Sequence, residues 1–314
     1  MKILILGGTR FIGKALAKSL CGNKFYTVDV LSKRKTKLKK INKQYLGNLK
    51  NNFINSTDNY DLIIDFISKE KTHVDNVLKN FNFNLYLYIS TMWVDKKNKY
   101  KKNSSENFNP KYLSTTSKKY IDYKLKIECL LKKRIKKKLK IIRLPIIFSS
   151  ASPRIKYYLD RIFYSNNLIQ SKIFNCTYLY YAELNSIISF FNRFIKNRNR
   201  YKKQTYFVFS TFVSMPRFIK IITKFFKKKI HVNLYSKLFL LKNYKQYLHT
   251  DPFINEYLIN FSNKNLIKLK PLSSIRSLIF ANVKKFKVNA KNKYLSTKEK
   301  SFINKFTPYE KIIL

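Results

Sequence analysis

The amino terminus constrains the fold more than any other feature, because a short apolar run meets two glycines and then an amphipathic segment. Ile3 to Leu6 is too short for a membrane span and has the length of a buried strand. It runs directly into Gly7-Gly8, and Phe11 to Leu20 carries apolar residues at helical spacing. A strand, a glycine turn and a helix in this order are typical of a nucleotide-binding unit. The alternative is an ordinary tight turn.

Length and composition limit the class of protein. The chain has 314 residues and 45% hydrophobic content, enough for a sizeable core in one large or two smaller domains. No stretch approaches the roughly 20 apolar residues of a membrane-spanning helix, and nothing resembles a signal peptide. We therefore expect a cytoplasmic or organelle-stromal protein. The three cysteines and three histidines are scattered, so neither a disulfide framework nor a metal site is predicted.

The net charge of +50 comes from 66 basic and 16 acidic residues and leaves two interpretations open. One is an electrostatic partner, either nucleic acid bound without sequence preference or an anionic surface. The other, which we favour, is codon bias in an AT-rich genome, because Lys, Asn, Ile, Phe and Tyr are all abundant. The densest basic run covers 132–140.

The first thirteen residues also carry a family resemblance. The string Gly-Gly-Thr-Arg-Phe-Ile-Gly, from Gly7 to Gly13, resembles the extended, epimerase/dehydratase-like branch of the short-chain dehydrogenase/reductase superfamily, whose members have Gly-x-x-Gly-x-x-Gly here. It is similar to a subgroup that includes bacterial epimerase/dehydratase-like proteins and plastid RNA-binding relatives. Arg10 replaces the middle glycine and offers a planar cation to a phosphate. The cofactor contacts implied by the string are Gly7, Gly8, Thr9, Arg10, Phe11, Ile12 and Gly13.

The end of the expected second strand, Tyr26 to Leu31, bears on the choice of cofactor. An acidic residue at this point holds the ribose 2′-OH of NAD, whereas a basic cluster accommodates the 2′-phosphate of NADP. Here Ser32, Lys33 and Arg34 follow the strand, and Asp29 lies inside it. The pattern favours NADP over NAD, unless these cations merely belong to the general lysine excess.

Two further strand ends resemble the family's cofactor site. In the segment 45–48, Asn48 stands where the family has an acidic residue near the adenine. Asp61 to Ile67 resembles the strand whose carboxyl end passes under the cofactor, which implies that Phe66 and Ser68 lie there.

Catalytic candidates come from the next strand and helix. Leu85 to Val94 matches the family pattern that places Thr91 at the catalytic Ser/Thr position, although strand-end capping would also explain a threonine there. Downstream, Tyr120-Ile-Asp-Tyr-Lys124 resembles the superfamily's Tyr-x-x-x-Lys pair, and Glu128 follows as in the family. A spacing of four places both side chains on one helix face. The lysine would lower the tyrosine pKa, so that Tyr120 could exchange a proton with a substrate hydroxyl.

The same motif occurs by chance elsewhere, and the substrate contacts are weakly marked. Tyr294 to Lys298 is a second Tyr-x-x-x-Lys, but no suitable strand precedes it. After the expected strand Lys140 to Phe148, Arg154 and Arg161 would meet an anionic substrate such as a nucleotide-sugar diphosphate, or else are surface arginines.

These patterns lead to one leading expectation and two alternatives. The resemblance implies a Rossmann-type α/β fold, a doubly wound parallel sheet, with a dinucleotide-binding domain at 1–190. A smaller substrate lobe is expected at 191–314, interleaved with 149–175. The implied activity is that of an NAD(P)-dependent epimerase, dehydratase or reductase acting on a nucleotide sugar or a similar hydroxyl/carbonyl substrate. The alternatives are a non-catalytic or RNA-binding protein on the same fold, and an accessory subunit that holds a dinucleotide. A homodimer is one of the assemblies that the sequence allows.

Overall fold

The main feature of the chain is an eight-stranded sheet in which every neighbouring pair is parallel. The computed structural model describes residues 1–50, 58–94, 115–149, 153–171, 178–236, 239–240, 243, 266–270, 274–284, 301–305, 308 and 310–313. The strands of the main sheet are β1 (Lys2–Leu6), β2 (Thr27–Ser32), β3 (Lys43–Leu46), β4 (Asn59–Asp65), β5 (Asn82–Thr91), β6 (Leu139–Leu144), β10 (Thr205–Phe209) and β13 (Leu266–Lys268). Their order is β13-β10-β6-β5-β4-β1-β2-β3. The order reverses between β1 and β4, which confirms the expected doubly wound fold.

Helices cover both faces of this sheet. They are α1 (Phe11–Cys21), α2 (Lys71–Asn80), α3 (Thr115–Ile135) and α5 (Leu184–Lys196). One core combines β1 residues such as Ile3 with Leu16 of α1 and Phe190 of α5. The core on the other face combines Leu4 with Leu131 of α3. Because β1 is buried on both sides, it is a continuous apolar run rather than an alternating one.

A second region contains two small sheets and three helices. Its elements are β7 (Ile146–Phe148), α4 (Pro153–Tyr164), β8 (Asn167–Ser171), β9 (Tyr178–Glu183), β11 (Thr211–Ser214), α6 (Met215–Phe226), β12 (His231–Tyr235), α7 (Ile275–Lys284) and β14 (Glu310–Ile313). The two sheets have the orders β11-β9-β7 and β14-β12-β8. A separate core joins them through α4, α6 and α7, with Leu159, Phe218 and Ile279 among its buried residues.

The chain crosses between the two regions more than once. The segment 140–148, expected to be one strand, is divided at Pro145 into β6 in the main sheet and β7 beside β9. Proline lacks the N–H that a continuous ladder requires. After residue 190 the chain returns to the main sheet as β10 and β13. The proposed division at 190 stays a prediction. Within the described ranges, no helix is long and apolar enough to span a membrane.

Candidate functional site

The glycine turn between β1 and α1 has no room for a side chain at any of its three glycines, Gly7, Gly8 and Gly13. Gly7 has φ +94°, and its N–H donates to the carbonyl of Leu31 at 2.9 Å. A Cβ at Gly13 would lie 2.4 Å from the carbonyl oxygen of Gly7, and a Cβ at Gly8 would lie 2.8 Å from Val30 Cγ1. Gly7 needs a backbone conformation that favours glycine. Gly8 and Gly13 are needed for close packing between β1, β2 and α1.

A cleft of about 520 Å³, here called the cofactor cleft, opens at the carboxyl ends of β1, β2 and β3. Seven of the predicted cofactor residues line it: Gly7, Thr9, Arg10, Ser32, Lys33, Arg34 and Asn48. Lys50 and Lys69 bring its cations to five, and Glu70 is the one acid among its described lining residues. Since Lys50 Nζ lies 3.3 Å from Glu70 Oε1, the remaining charge is strongly positive. The cleft therefore suits a ligand with several negative charges.

The loop after β2 contributes Lys33 and Arg34 to the cofactor cleft, and hydrogen bonds fix the backbone of this loop. The Ser32 hydroxyl donates to the carbonyl of Arg34 at 2.8 Å and accepts from Gln44 Nε2 at 2.9 Å. Lys33 and Arg34 themselves are exposed. Asp29 is buried inside β2 and accepts from Tyr60 at 2.8 Å, so no carboxylate stands at the strand tip where a ribose 2′-OH would need one.

The end of β4 is a rigid turn built on one buried carboxylate. Asp65 Oδ1 accepts from the backbone N–H groups of Ile67 and Ser68 at 2.8 and 2.9 Å, and Oδ2 accepts from Tyr86 at 2.6 Å. Burial, together with this carboxylate, raises the pKa of Tyr86 well above its usual value. The Ser68 hydroxyl is buried and has no hydrogen-bond partner among the described residues. Phe66 lines a second cleft rather than the first.

His73 lines the cofactor cleft and was missed by the sequence analysis, which treated the three histidines as scattered. It is only 7% exposed. Its Nδ1 accepts from the N–H of Lys69 at 3.2 Å, so Nε2 carries the hydrogen, and Nε2 has no partner within the described ranges. Burial lowers the pKa of His73, which keeps the ring neutral at pH 7. The signal that could have found it is its position in the first turn of α2, just after the end of β4.

A second cleft of about 390 Å³, here called the catalytic cleft, brings together the three predicted catalytic residues. Thr91 comes from the end of β5, and Tyr120 and Lys124 come from α3. The rest of its described lining consists of Phe66, Ile89, Ser90, Tyr123 and the segments 11–12 and 144–147. Phe11 and Ile12 thus connect the glycine segment to this cleft.

Lys124 is a buried cation with a fixed position. Its side chain is 5% exposed, and Nζ donates to the carbonyl of Ile89 at 2.7 Å. Nζ also lies 4.6 Å from the centre of the Tyr88 ring. Burial lowers the pKa of Lys124 to about 8. The ammonium therefore dominates at neutral pH but is lost over a mildly alkaline range.

Tyr120 is more exposed than Thr91, Tyr123 and Lys124 of the catalytic cleft. Its side chain is 38% exposed, and its ring meets Tyr123 edge to face at 5.2 Å. Burial raises the pKa of Tyr123, which makes that phenol a poor proton donor to substrate at neutral pH.

A buried ion pair fixes α3 one turn after Lys124. Arg143 of β6 donates to Glu128 through Nε at 3.0 Å and through NH2 at 2.6 Å. Arg143 stands opposite Ser90 in the register of β5 and β6. The ion pair thus ties α3 to β6, which lies beside β5, the strand that carries Ser90 and Thr91.

Of the two predicted substrate arginines, the structure describes the side chain of Arg161 alone. Arg161 is buried in α4 and lines neither cleft. Arg154 belongs to the same helix, but its side chain lies outside the described residues, as does the second motif at 294–298. No group of acidic, histidine and cysteine residues that could hold a metal occurs in the described part of the chain.

Solved structures with this fold include an epimerase, a dehydratase and a reductase. The UDP-glucuronic acid 4-epimerase from Bacillus cereus, in complex with UDP-glucuronic acid and NAD, is 14% identical with a TM-score of 0.60, over 91% of this chain and 99% of that one. The dTDP-glucose 4,6-dehydratase from Bacillus anthracis str. Ames, in complex with NAD, is 10% identical with a TM-score of 0.57, over 93% and 98%. Vestitone reductase from alfalfa is 15% identical with a TM-score of 0.52, over 96% and 99%.

These likenesses establish the fold, since the identities are low. The chain has the Rossmann-like α/β fold found in NAD-dependent epimerases and dehydratases. No protein-family model and no curated protein sequence matches it.

Proposed function

We propose that this chain is an NAD(P)-dependent epimerase, dehydratase or reductase of the short-chain dehydrogenase type. The observation that carries the proposal is the convergence of Thr91, Tyr120 and Lys124 on one cleft beside the glycine turn. Thr91 comes from β5 and the other two from α3, and binding a dinucleotide alone does not require the three residues together. Structural neighbours that hold NAD and sugar nucleotides support the same class. We propose a nucleotide sugar, or a similar hydroxyl or carbonyl compound, as the substrate.

The lining of the cofactor cleft fits a dinucleotide. Arg10 and the N-terminus of α1 would face the pyrophosphate, and Lys33 and Arg34 would face a 2′-phosphate. Asn48 is a polar side chain of the lining that is left for the adenosine end, whereas Nε2 of His73 is buried. The cationic strand tip favours NADP over NAD. When bound, the nicotinamide supplies the hydride chemistry.

Residues of this chain would transfer the proton to or from the substrate hydroxyl. Tyr120 would exchange a proton with a substrate hydroxyl, since it is the accessible phenol of the cleft. The Lys124 ammonium would favour the ionised tyrosine, and its hydrogen bond to Ile89 fixes where that charge lies. Thr91 would orient the substrate oxygen from the end of β5.

The experiment is a turnover screen. The protein would be incubated with NAD or NADP and a panel of UDP- and dTDP-sugars, and products would be separated by chromatography and identified by mass spectrometry. Conversion of one compound class, dependent on cofactor and on Tyr120, is the expected result. Tight cofactor binding with no conversion of any compound would instead favour a dinucleotide-holding accessory subunit.

A further inference from the structure

An open groove of about 540 Å³ lies at the opposite edge of the main sheet from both clefts. Its walls are the segment 81–83, where β5 begins, and the segment 134–138, which precedes β6. Since the strands are parallel, this amino edge is separated from the carboxyl edge that carries the candidate active site. The proposed enzymatic function does not involve the residues of this groove.

The groove is cationic because of how α3 ends. Arg134, Lys136, Lys137 and Lys138 line it, and no acidic residue is among its described lining. Arg134 forms an ion pair with Asp75. The three lysines are exposed, and none of them forms an ion pair within the described ranges. Three uncompensated charges on one short turn form a local positive field rather than a neutralised surface.

The turn that carries these lysines is held in place. Gln204 Nε2 donates to the carbonyl of Lys136 at 3.0 Å, and Lys138 Nζ donates to the carbonyl of Phe83 at 3.4 Å. Lys138 Nζ also lies 5.8 Å from the Phe83 ring centre. The cations are therefore presented from a defined backbone beside an aromatic wall.

The apolar part of the groove distinguishes it from a plain lysine patch. Leu78, Phe81 and Phe83 line it together with the cations. Phe81 is buried in the core, whereas Phe83 is half-buried and is the aromatic ring that remains partly accessible. A positively charged groove beside aromatic rings is the arrangement that binds single-stranded nucleic acid, whose sugars and unpaired bases pack on apolar surface while cations meet phosphates.

We propose that this groove binds the phosphate backbone of single-stranded nucleic acid without sequence preference. Lys136, Lys137 and Lys138 make the phosphate contacts, and Phe83 packs against the sugar or base between them. The competing explanation is that these lysines only complement the carbonyl end of α3 and reflect a chain-wide lysine excess.

A matched pair of triple variants distinguishes nucleic-acid binding at the groove from a general effect of the lysine excess. K136Q/K137Q/K138Q removes the groove cations, and K220Q/K224Q/K229Q removes three exposed lysines of the second region with the same change in net charge. Binding of a fluorescent oligonucleotide of roughly 12 nucleotides would be followed by anisotropy over a series of salt concentrations. Thermal melting would verify that both variants are folded.

The groove variant should lose roughly tenfold or more in affinity, and its slope of log K against log salt should become shallower by about 2. The control should change by less than about twofold, and K136R/K137R/K138R should retain binding because it keeps the charge. Equal losses in the groove variant and the control would overturn the proposal. Tighter binding of a poly-glutamate peptide of equal length would overturn it as well. Neither result depends on cofactor binding.

Discussion

The cofactor cleft and the catalytic cleft lie side by side, yet they use charge in opposite ways. The cofactor cleft gathers five cations, of which Lys33 and Arg34 are exposed. Among its described lining residues the catalytic cleft has one cation, Lys124, and burial lowers the pKa of Lys124 to about 8. The first arrangement attracts a polyanion from water and is screened by salt. The second retains a titratable group close to the working pH, as proton transfer requires.

The largest expected effect is in the catalytic cleft. Tyr120→Phe should lower turnover by roughly 10²- to 10⁴-fold, the range for loss of a general acid or base. NADPH affinity should stay within about twofold, because the hydroxyl is not part of the cofactor cleft. Tyr123→Phe is the matched control, and steady-state kinetics on the substrate found by screening gives the comparison. If Tyr123→Phe lost more turnover than Tyr120→Phe, the proton transfer would belong to Tyr123 and the assignment to Tyr120 would be wrong.

The next effect is on the glycine turn. Gly13→Ala places a Cβ 2.4 Å from the Gly7 carbonyl oxygen, so the turn must move. We expect NADPH affinity to fall roughly 100-fold, with a stability loss of about 1–3 kcal/mol. Gly22→Ala is the control, because its nearest contact would be an ordinary 3.5 Å and its φ is −76°. Calorimetric titration beside thermal melting measures both, and unchanged affinity in Gly13→Ala would exclude a cofactor at this turn.

A smaller effect separates the two dinucleotides. K33Q/R34Q should weaken NADPH binding roughly tenfold while NADH changes little, because only NADPH carries the 2′-phosphate. K37Q/K39Q removes two exposed charges from the same loop without touching the cleft. Titrations in about 0.3 M salt suppress general attraction between polyanion and protein. Equal losses for NADPH and NADH would show that the cations act only through net charge.

The smallest effect is the pH dependence of the catalytic cleft. Lys124 is protonated below its pKa of about 8, so turnover should decline as the pH rises from 7 to 9, by roughly tenfold. Its folded-state pKa lies below the unfolded-state value, so burial of the ammonium costs stability below pH 8, and the cost disappears as the pH rises. Lys124→Met should therefore lose activity and the pH dependence without a lower melting temperature. A melting temperature that falls by several degrees would show that the ammonium supports the fold.

Local sequence patterns predicted the lining residues of the cofactor cleft better than those of the catalytic cleft. The apolar run 3–6 and Gly7 define a strand and a turn within a few residues, and the tip of β2 follows soon after. Because these features belong to one β-α-β unit near the amino terminus, the sequence could predict that Arg10 and Lys33 line one cleft. The catalytic cleft needs Thr91 and α3 to meet, which only the resemblance anticipated.

Other features depended on long-range packing. Nothing local shows that the strand before Pro145 and the strand after it join different sheets. Burial of His73 depends on the packing of α2 against residues more than twenty positions away, and burial of Arg161 depends on the second region. Lysine is so frequent that sequence alone could not distinguish the groove at 134–138 from any other basic run.

The most direct test of the central claim, that both clefts serve one dinucleotide, is a crystal structure with NADPH bound. We expect the 2′-phosphate to lie against Lys33 and Arg34, the pyrophosphate at the Gly7 turn, and the nicotinamide in the catalytic cleft beside Tyr120 and Lys124. A dinucleotide bound elsewhere, or one whose nicotinamide stays outside the catalytic cleft, would contradict it.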